Sequence, residues 1–337
     1  MSGLALITGA AGFVGRHLTE QLLEAGWKVR ALDLSPSPTQ FEGRVEWVQG
    51  SVLDEQTLRA AMSGVEHCYH LAALTHLWTR DRALYEQVNF HGVKHVLDAA
   101  QNAGVGHILI TSTEVILRGW KDRRSAPLTE ADPLPHAAQT AGPYCRSKLK
   151  GEQLARTAAQ QGQPVSICYP TVPIGPGDYA MTAPSAMIAT FLSKPPPAFM
   201  ECVLNLVPVE DVARAMILMM KRPPAGRYIL GGDNLSMATL LQKLSVLTDK
   251  KMPARKVPPT LALLTAYVSE IMAAVSKNPP LATLEGVRLA RHPTYISSQK
   301  AKDNLSWEAG DIDSALERAA LWMEREGFLS RSSHAPR

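Results

Sequence analysis

Three glycines constrain this chain more than any other feature. Gly9, Gly12 and Gly15 follow a short apolar run, Leu4 to Ile7, which Thr8 closes. Phe13, Val14, Leu18, Leu22 and Leu23 then recur at helical spacing until Gly26. The run reads as a buried parallel strand and the recurrence as a helix. The glycines therefore fall on a strand-to-helix turn, and that context gives them weight. Gly9 permits the tight turn, Gly12 lets a pyrophosphate approach the backbone, and Gly15 lets helix pack on strand. Phe13 and Val14 open the helix, whose free N–H groups and positive dipole end would face the phosphates. The competing reading is an ordinary strand-to-helix turn.

The second strand, Lys28 to Leu32, ends at Asp33. A carboxylate about 20 residues past the turn can bond both ribose hydroxyls of NAD and would repel the 2′-phosphate of NADP. Arg30 lies earlier on the strand and no arginine directly follows Asp33. The expected cofactor is NAD(H) rather than NADP(H).

The alternation continues: a strand at 45–49, a short helix from Asp54 to about Gly64, and a strand at 67–73. That third segment ends in Leu71, Ala72 and Ala73, small enough for a cofactor to lie against the backbone. A long helix at 84–102 carries Asn89. A strand at 107–111, a helix at 144–160 and a strand at 165–169 follow, the last closed by Pro170. Strands alternating with helices imply an α/β fold, a Rossmann-type doubly wound parallel sheet. Prolines at 173, 176, 184 and 195–197 then break the pattern. Regularity returns at 204–209, the helix after Asp211 and the strand 227–230, and the chain is mostly helical beyond Asn234. The expected division is a cofactor-binding domain of 1–170 and 204–232, and a smaller, mostly helical substrate domain of 171–203 and 233–330. A ligand cleft is expected between them, and a disordered tail at 331–337.

The 337 residues suffice for a large core. A net charge of +4, with no basic run interleaved with aromatics, argues against nucleic acid. The four cysteines show neither metal-ligand nor redox-pair spacing, and no metal is expected. Reduced thiols and the lack of a charged leader or cleavage site make the expected location cytoplasmic. No apolar stretch is expected to reach the roughly 18 residues that cross a bilayer.

Tyr144 and Lys148 share one helix face at a spacing of one turn. A phenol titrates near ~10, and a lysine one turn on would stabilise its phenolate and hold a cofactor ribose. Thr111-Ser112-Thr113 follows the strand at 107–111, where a hydroxyl can polarise a substrate carbonyl. Asn89 is a poor helix former in mid-helix, placed to hold a water or a backbone group in a proton relay. Exposed or capping roles are the bland alternatives for each of these residues.

These segments are together similar to the extended short-chain dehydrogenase/reductases. GAAGFVG, Asp33, YHLAA (69–73), VNFHGVKHVLDAA (88–100), TSTEV (111–115), YCRSK (144–148), YPTVPIGPGD (169–178) and VPVEDVARA (207–215) occur in that family's order. TSTEV resembles a segment of the 3β-hydroxysteroid dehydrogenases. PTVPIGPGD and RYILGGDNLS resemble the dihydroflavonol reductase-like group and the hopanoid-associated epimerase-like proteins. The resemblance assigns Thr113, Tyr144 and Lys148 as catalytic residues, with hydride transfer at a nicotinamide. It places Ser51, Val52, Asn89 and Pro170 among the cofactor-binding residues, beside Gly9, Gly12, Phe13, Val14, Gly15, Asp33, Leu71, Ala72, Ala73, Tyr144 and Lys148. It also implies a homodimer through the helices at 84–102 and 144–160.

Three departures bear on the reaction. Gly50-Ser51 stands where the family often has Gly-Asp. Tyr169-Pro170 lacks the arginine and asparagine of the sugar-nucleotide branch. Glu114 directly follows Thr113, so the Thr-Asp-Glu of the dehydratases is incomplete. The apolar stretches 181–200 and 258–280 carry no arginine for a diphosphate and would suit an apolar substrate. The leading expectation is NAD-linked interconversion of a secondary alcohol and ketone on a sterol, lipid or polyketide. A nucleotide-sugar epimerase or dehydratase is the alternative, and a non-catalytic NAD(P) sensor the second. The helix within 258–280 could also rest on a membrane surface.

Overall fold

The apolar run Leu4–Thr8 forms β1, and Phe13–Glu24 forms α1 after the glycine turn. This computed structural model describes residues 3–276 and 278–329, so the expected tail lies outside the described residues. The chain continues through β2 (Lys28–Asp33), β3 (Glu46–Gln49), α2 (Glu55–Ala61) and β4 (His67–His70). Asp54 is the cap of α2 and not its first turn, since its Oδ1 accepts the N–H groups of Gln56 and Thr57. α3 (Ala83–Glu86) and α4 (Gly92–Ala103) follow, then β5 (His107–Thr111), α5 (Pro143–Gln160) and β6 (Val165–Pro170). Between α3 and α4 the turn Gln87–His91 is a π-helix, and Asn89 sits inside it.

The second half holds β7 (Val172–Ile174), α6 (Ala183–Ser193), β8 (Ala198–Phe199), β9 (Val203–Pro208) and α7 (Val209–Met220). It continues with β10 (Arg227–Leu230), β11 (Asp233–Ser236), α8 (Met237–Thr248), β12 (Arg255–Lys256) and α9 (Pro259–Ser276). α10 (Leu284–Ala290), α11 (Gln299–Leu305) and α12 (Ile312–Arg325) complete the elements.

The main sheet is seven-stranded, in the order β10-β6-β5-β4-β1-β2-β3, and every pairing is parallel. The order reverses between β1 and β4, the switch point where doubly wound sheets bind ligands. Side chains alternate along β1. Ala5 and Ile7 join Leu18 and Leu22 of α1 and Val212 and Met216 of α7 on one face. Leu6 joins Leu58 of α2, Val96 of α4 and Ala155 of α5 on the other. Both faces are therefore covered, as a fully parallel sheet requires.

A second core gathers Ile188, Phe191, Leu240, Leu244, Leu316 and Trp322. Its sheet is β11-β9-β7, so β9, expected with the cofactor domain, pairs outside the main sheet. Conversely Ala301, Leu305 and Trp307, expected in the substrate domain, pack into the main-sheet core beside α7. The stretch 181–200, expected to wall an apolar pocket, is largely core instead: Ile188, Phe191, Leu192 and Phe199 are all buried. α9 also departs from expectation. Its 18 residues, at a mean hydropathy of 1.3, are long and apolar enough to cross a membrane by length and composition.

Candidate active site

The glycine turn fits a dinucleotide because no side chain could occupy its inner surface. Gly9 has φ +75°, a left-handed value, and a Cβ there would meet the Ala72 nitrogen at 2.7 Å. A Cβ on Gly15 would strike the Gly9 carbonyl at 2.2 Å, and one on Gly12 would approach it to 3.1 Å. The cradle spans the switch point, since Gly9, just beyond β1, faces Leu71-Ala72 beyond β4. Thr8 ties the same two strand ends: its Oγ1 meets His70 Nδ1 at 2.7 Å and accepts the Ala72 N–H at 3.3 Å. Burial pulls His70 down to about 3, with the Lys148 charge adding to it, so His70 is neutral.

Asp33 closes β2 beside the cradle. Its carboxylate accepts the N–H of Ala11 at 2.9 Å and of Ser35 at 2.9 Å, which aims it across the turn. Phe13 is buried, and Val14 packs against the main core. Arg16, which the sequence reading passed over, lies one turn into α1. Its Nε donates to the Ala11 carbonyl at 2.8 Å, and its guanidinium stacks 4.5 Å from the Tyr179 ring centre. Burial lowers the Arg16 pKa, while the Tyr179 and Asp33 charges oppose that shift. A cation in a GFVGR run at a helix start was a readable signal. Ser51 instead turns back, its Oγ accepting the Leu53 N–H at 3.1 Å. Val52 is buried beneath α4, and its carbonyl meets His95 Nδ1 at 3.2 Å. Pro170 ends β6 buried, paired with Leu230.

Tyr144, Lys148 and Thr113 come together where β5 ends beside α5. Thr113 lies near enough to the Tyr144 phenol to oppose the rise of its pKa, and its hydroxyl donates to a Glu114 carboxylate oxygen at 3.1 Å. Lys148 reaches the strand end, its Nζ donating to the Thr111 carbonyl at 2.7 Å rather than to the phenol. Burial pushes the Tyr144 phenol up, with the Cys145 and Glu114 charges adding to it, so the phenol is held neutral. Burial lowers Lys148 to about 8. Glu114 is pushed up to about 7 by burial, with the Thr113 bond and the Arg118 charge opposing.

Asn89 acts as a clamp. Its Oδ1 accepts the Leu74 N–H at 2.8 Å, and its Nδ2 donates to the Leu74 carbonyl at 3.0 Å and to Ser147 Oγ at 3.0 Å. The hydroxyl of Ser147 in turn donates to the Tyr144 carbonyl at 2.8 Å. Asn89 therefore fastens the loop after β4 to the helix of Tyr144. The π turn is a frequent device at functional positions.

The N-terminus of α5 is held from far along the chain. The carboxylate of Glu285 on α10 accepts the N–H groups of Tyr144 at 3.1 Å and Cys145 at 2.7 Å. Glu285 is 141 residues from Tyr144 in sequence, so no local signal announces it. A cleft opens beside this helix start, lined by Leu77, Trp78, Arg82, Tyr85, Pro143 and Glu285 among others. Tyr85 faces Tyr144 with ring centres 6.4 Å apart. Arg118 and Arg288 each donate to a carbonyl, of Leu289 at 2.9 Å and Ala141 at 3.0 Å.

Comparison with known proteins agrees with this geometry. The NAD dependent epimerase/dehydratase family matches residues 5–231. The chain is 34% identical over 336 residues to a protein of Synechocystis sp. that carries a provisional dihydroflavonol 4-reductase name, covering 98% of this chain and 97% of that one. It is 26% identical over 329 residues to sterol demethylase protein B of Methylococcus capsulatus, covering 96% and 99%. Among solved structures, gox2253 superposes with a TM-score of 0.84 at 31% identity, covering 98% of this chain and 100% of that one. UDP-glucose 4-epimerase of Thermotoga maritima shares the fold, with a TM-score of 0.76 at 21% identity over 96% and 99% of the chains. The chain belongs to the NAD-dependent epimerase/dehydratase family, the extended short-chain dehydrogenase/reductases, and is an NAD-dependent oxidoreductase of that type.

Proposed function

We propose that this enzyme interconverts a secondary alcohol and a ketone on an apolar substrate, with Tyr144 as the proton carrier. The observation that carries the reading is the buried Tyr144 phenol, held neutral, with Thr113 near enough to act on it and Lys148 one helical turn away. NAD(H), when bound, supplies or accepts the hydride. The glycine turn and Asp33 would hold it, and Asp33 favours NAD(H) over NADP(H).

Reduction of a ketone leaves charge on the substrate oxygen. Thr113 Oγ1, which here donates to Glu114, would turn its proton to the substrate oxygen, and Tyr144 Oη would give it a proton. A phenol that burial holds neutral is a proton donor, the state that reduction of a ketone requires. Oxidation runs the same groups backwards, with Tyr144 Oη taking the proton. Lys148 keeps a positive charge one turn away, which lowers the cost of the phenolate formed in either direction.

The surroundings support an apolar substrate. Leu74, Leu77, Tyr85, Val115, Ile116, Trp120 and Leu289 cluster around Tyr144. Of the arginines nearby, Arg288 bonds a carbonyl, Arg82 pairs with Glu270 at 3.4 Å, and Arg118 bonds a carbonyl through Nη2 while its buried Nη1 has no partner among the described residues. A diphosphate would have to draw them away. The named relatives include a sterol demethylase protein and, over part of the chain, 3β-hydroxysteroid dehydrogenases. The test is net reduction of NAD⁺ with a panel of hydrophobic secondary alcohols, beside UDP- and dTDP-sugars. Stoichiometric NADH from an apolar alcohol is expected. Sugar-nucleotide conversion without net NADH would replace this reading with the epimerase one.

A further inference from the structure

The outward face of α9 has no partner among the described residues. Only Ala266 and Ala273 of this helix are buried. Leu261, Leu264, Val268, Ile271, Met272 and Val275 are exposed, between 47% and 81%, and Leu281 just beyond is 92% exposed. The usual amphipathic arrangement is inverted, with small residues inward and large apolar ones toward solvent. The one charge in the helix, Glu270, is turned inward. Its carboxylate accepts the Leu284 N–H at 2.8 Å and pairs with Arg82 at 3.4 Å, and its side chain is 16% exposed.

We propose that α9 docks the enzyme on an anionic lipid surface, lying in the interface with this face in the acyl boundary. Two observations select a lipid surface. First, the face carries no charge, while the segment leading into it carries Lys251, Arg255 and Lys256, all exposed. Lys256 pairs with Glu201 at 2.7 Å; the segment as a whole remains basic, with Asp249 as its one acid. Basic residues beside an apolar helix face match anionic headgroups over an acyl layer. Second, the helix is tethered along its inner side. Ser269 Oγ accepts the Leu281 N–H at 2.7 Å, and Val257, before the helix, donates to the Phe199 carbonyl at 2.7 Å. Crossing a bilayer would strip these bonds and drag Glu270 into hydrocarbon; lying on it keeps them. Glu270 and Arg82 also line the cleft at the start of α5, so the inner side of the docked helix is one wall of that cleft. The surface stands on its own, whatever reaction the site performs.

The test is co-sedimentation of the full chain with vesicles of phosphatidylcholine, with and without phosphatidylglycerol. Strong binding to the phosphatidylglycerol vesicles, weakened by salt, is expected. The Leu264→Ser/Val268→Ser/Met272→Ser variant and the Lys251→Glu/Arg255→Glu variant should each lose roughly tenfold or more in partitioning. Circular dichroism and NADH affinity should be unchanged in both, because all five side chains lie on the surface. No binding by the wild type, or binding that both variants keep in full, would overturn the proposal. Light scattering that shows a dimer split by the apolar variant, without vesicle binding, would make the occupant a second copy and also overturn it.

Discussion

At the scale of single residues, two carboxylates carry opposite messages. Asp33 is held at the cradle by two backbone N–H groups, and in the proposed reading it receives the ribose hydroxyls and repels a 2′-phosphate. Asp33→Ala should therefore narrow the preference for NADH over NADPH, read by fluorescence titration of both. An unchanged ratio would remove Asp33 from the ribose. Glu114 is costly where it stands. Its folded pKa, near 7, lies above the 4.5 of a free glutamate, because burial penalises its charge. The folded state then holds a proton that the unfolded state has released, so stability falls as pH rises from about 4.5 to about 7. Glu114→Gln removes this dependence. It should gain up to about 3 kcal/mol over the wild type in urea unfolding at pH 8, and far less at pH 4.5. Equal stabilities at both pH values would contradict the shift. Tyr144 and Lys148 were legible because their relation is local, one turn on one helix. Arg16 was equally local and was missed. Glu285 was not legible, since its contact with α5 exists only after the chain has folded back.

At the scale of elements, the helix that carries Tyr144 starts on a borrowed cap. Gly142, at the N-terminal boundary of α5, offers no side chain, and Glu285 of α10 supplies the acceptor instead. Glu285→Ala leaves two buried donors unpaired, which should cost about 1–3 kcal/mol of stability in urea unfolding. It should also lower kcat while sparing NADH affinity; an unperturbed protein would make the contact incidental. The apolar stripes expected to pair α4 and α5 across a dimer are spent within the chain, on Val93, Val96, Leu97, Leu149 and Ala155. A homodimer across these helices would meet through Lys94, Asp98, Arg146 and Lys150. We expect it to dissociate in about 1 M salt by light scattering, and persistence there would place the contact elsewhere. Periodicity reads the existence of a helix better than the side it buries. In α9 it marked the helix correctly, yet the small alanines face inward. The π turn at Asn89 escaped notice because it leaves the helical pattern on either side intact.

At the scale of the molecule, the alternating first half was readable because each strand and helix carries its own period. The second half was less so. β9 leaves the main sheet and α11 returns to its core, and neither choice is written in the local pattern. The folded result brings the glycine turn and Thr113 to the C-terminal ends of the central strands, with Tyr144 beside them, while leaving their supports separate. The cradle belongs to β1 and α1; the proposed proton carrier belongs to α5, capped from α10. Cofactor binding and chemistry should therefore separate cleanly. Tyr144→Phe keeps the ring and its packing and removes the proton. The most direct measurement pairs NADH affinity with steady-state turnover for this variant on any accepted substrate. The account predicts unchanged affinity and a turnover lower by roughly 10²-fold or more, the range of a lost general acid or base. Full turnover by the Tyr144→Phe enzyme would contradict it.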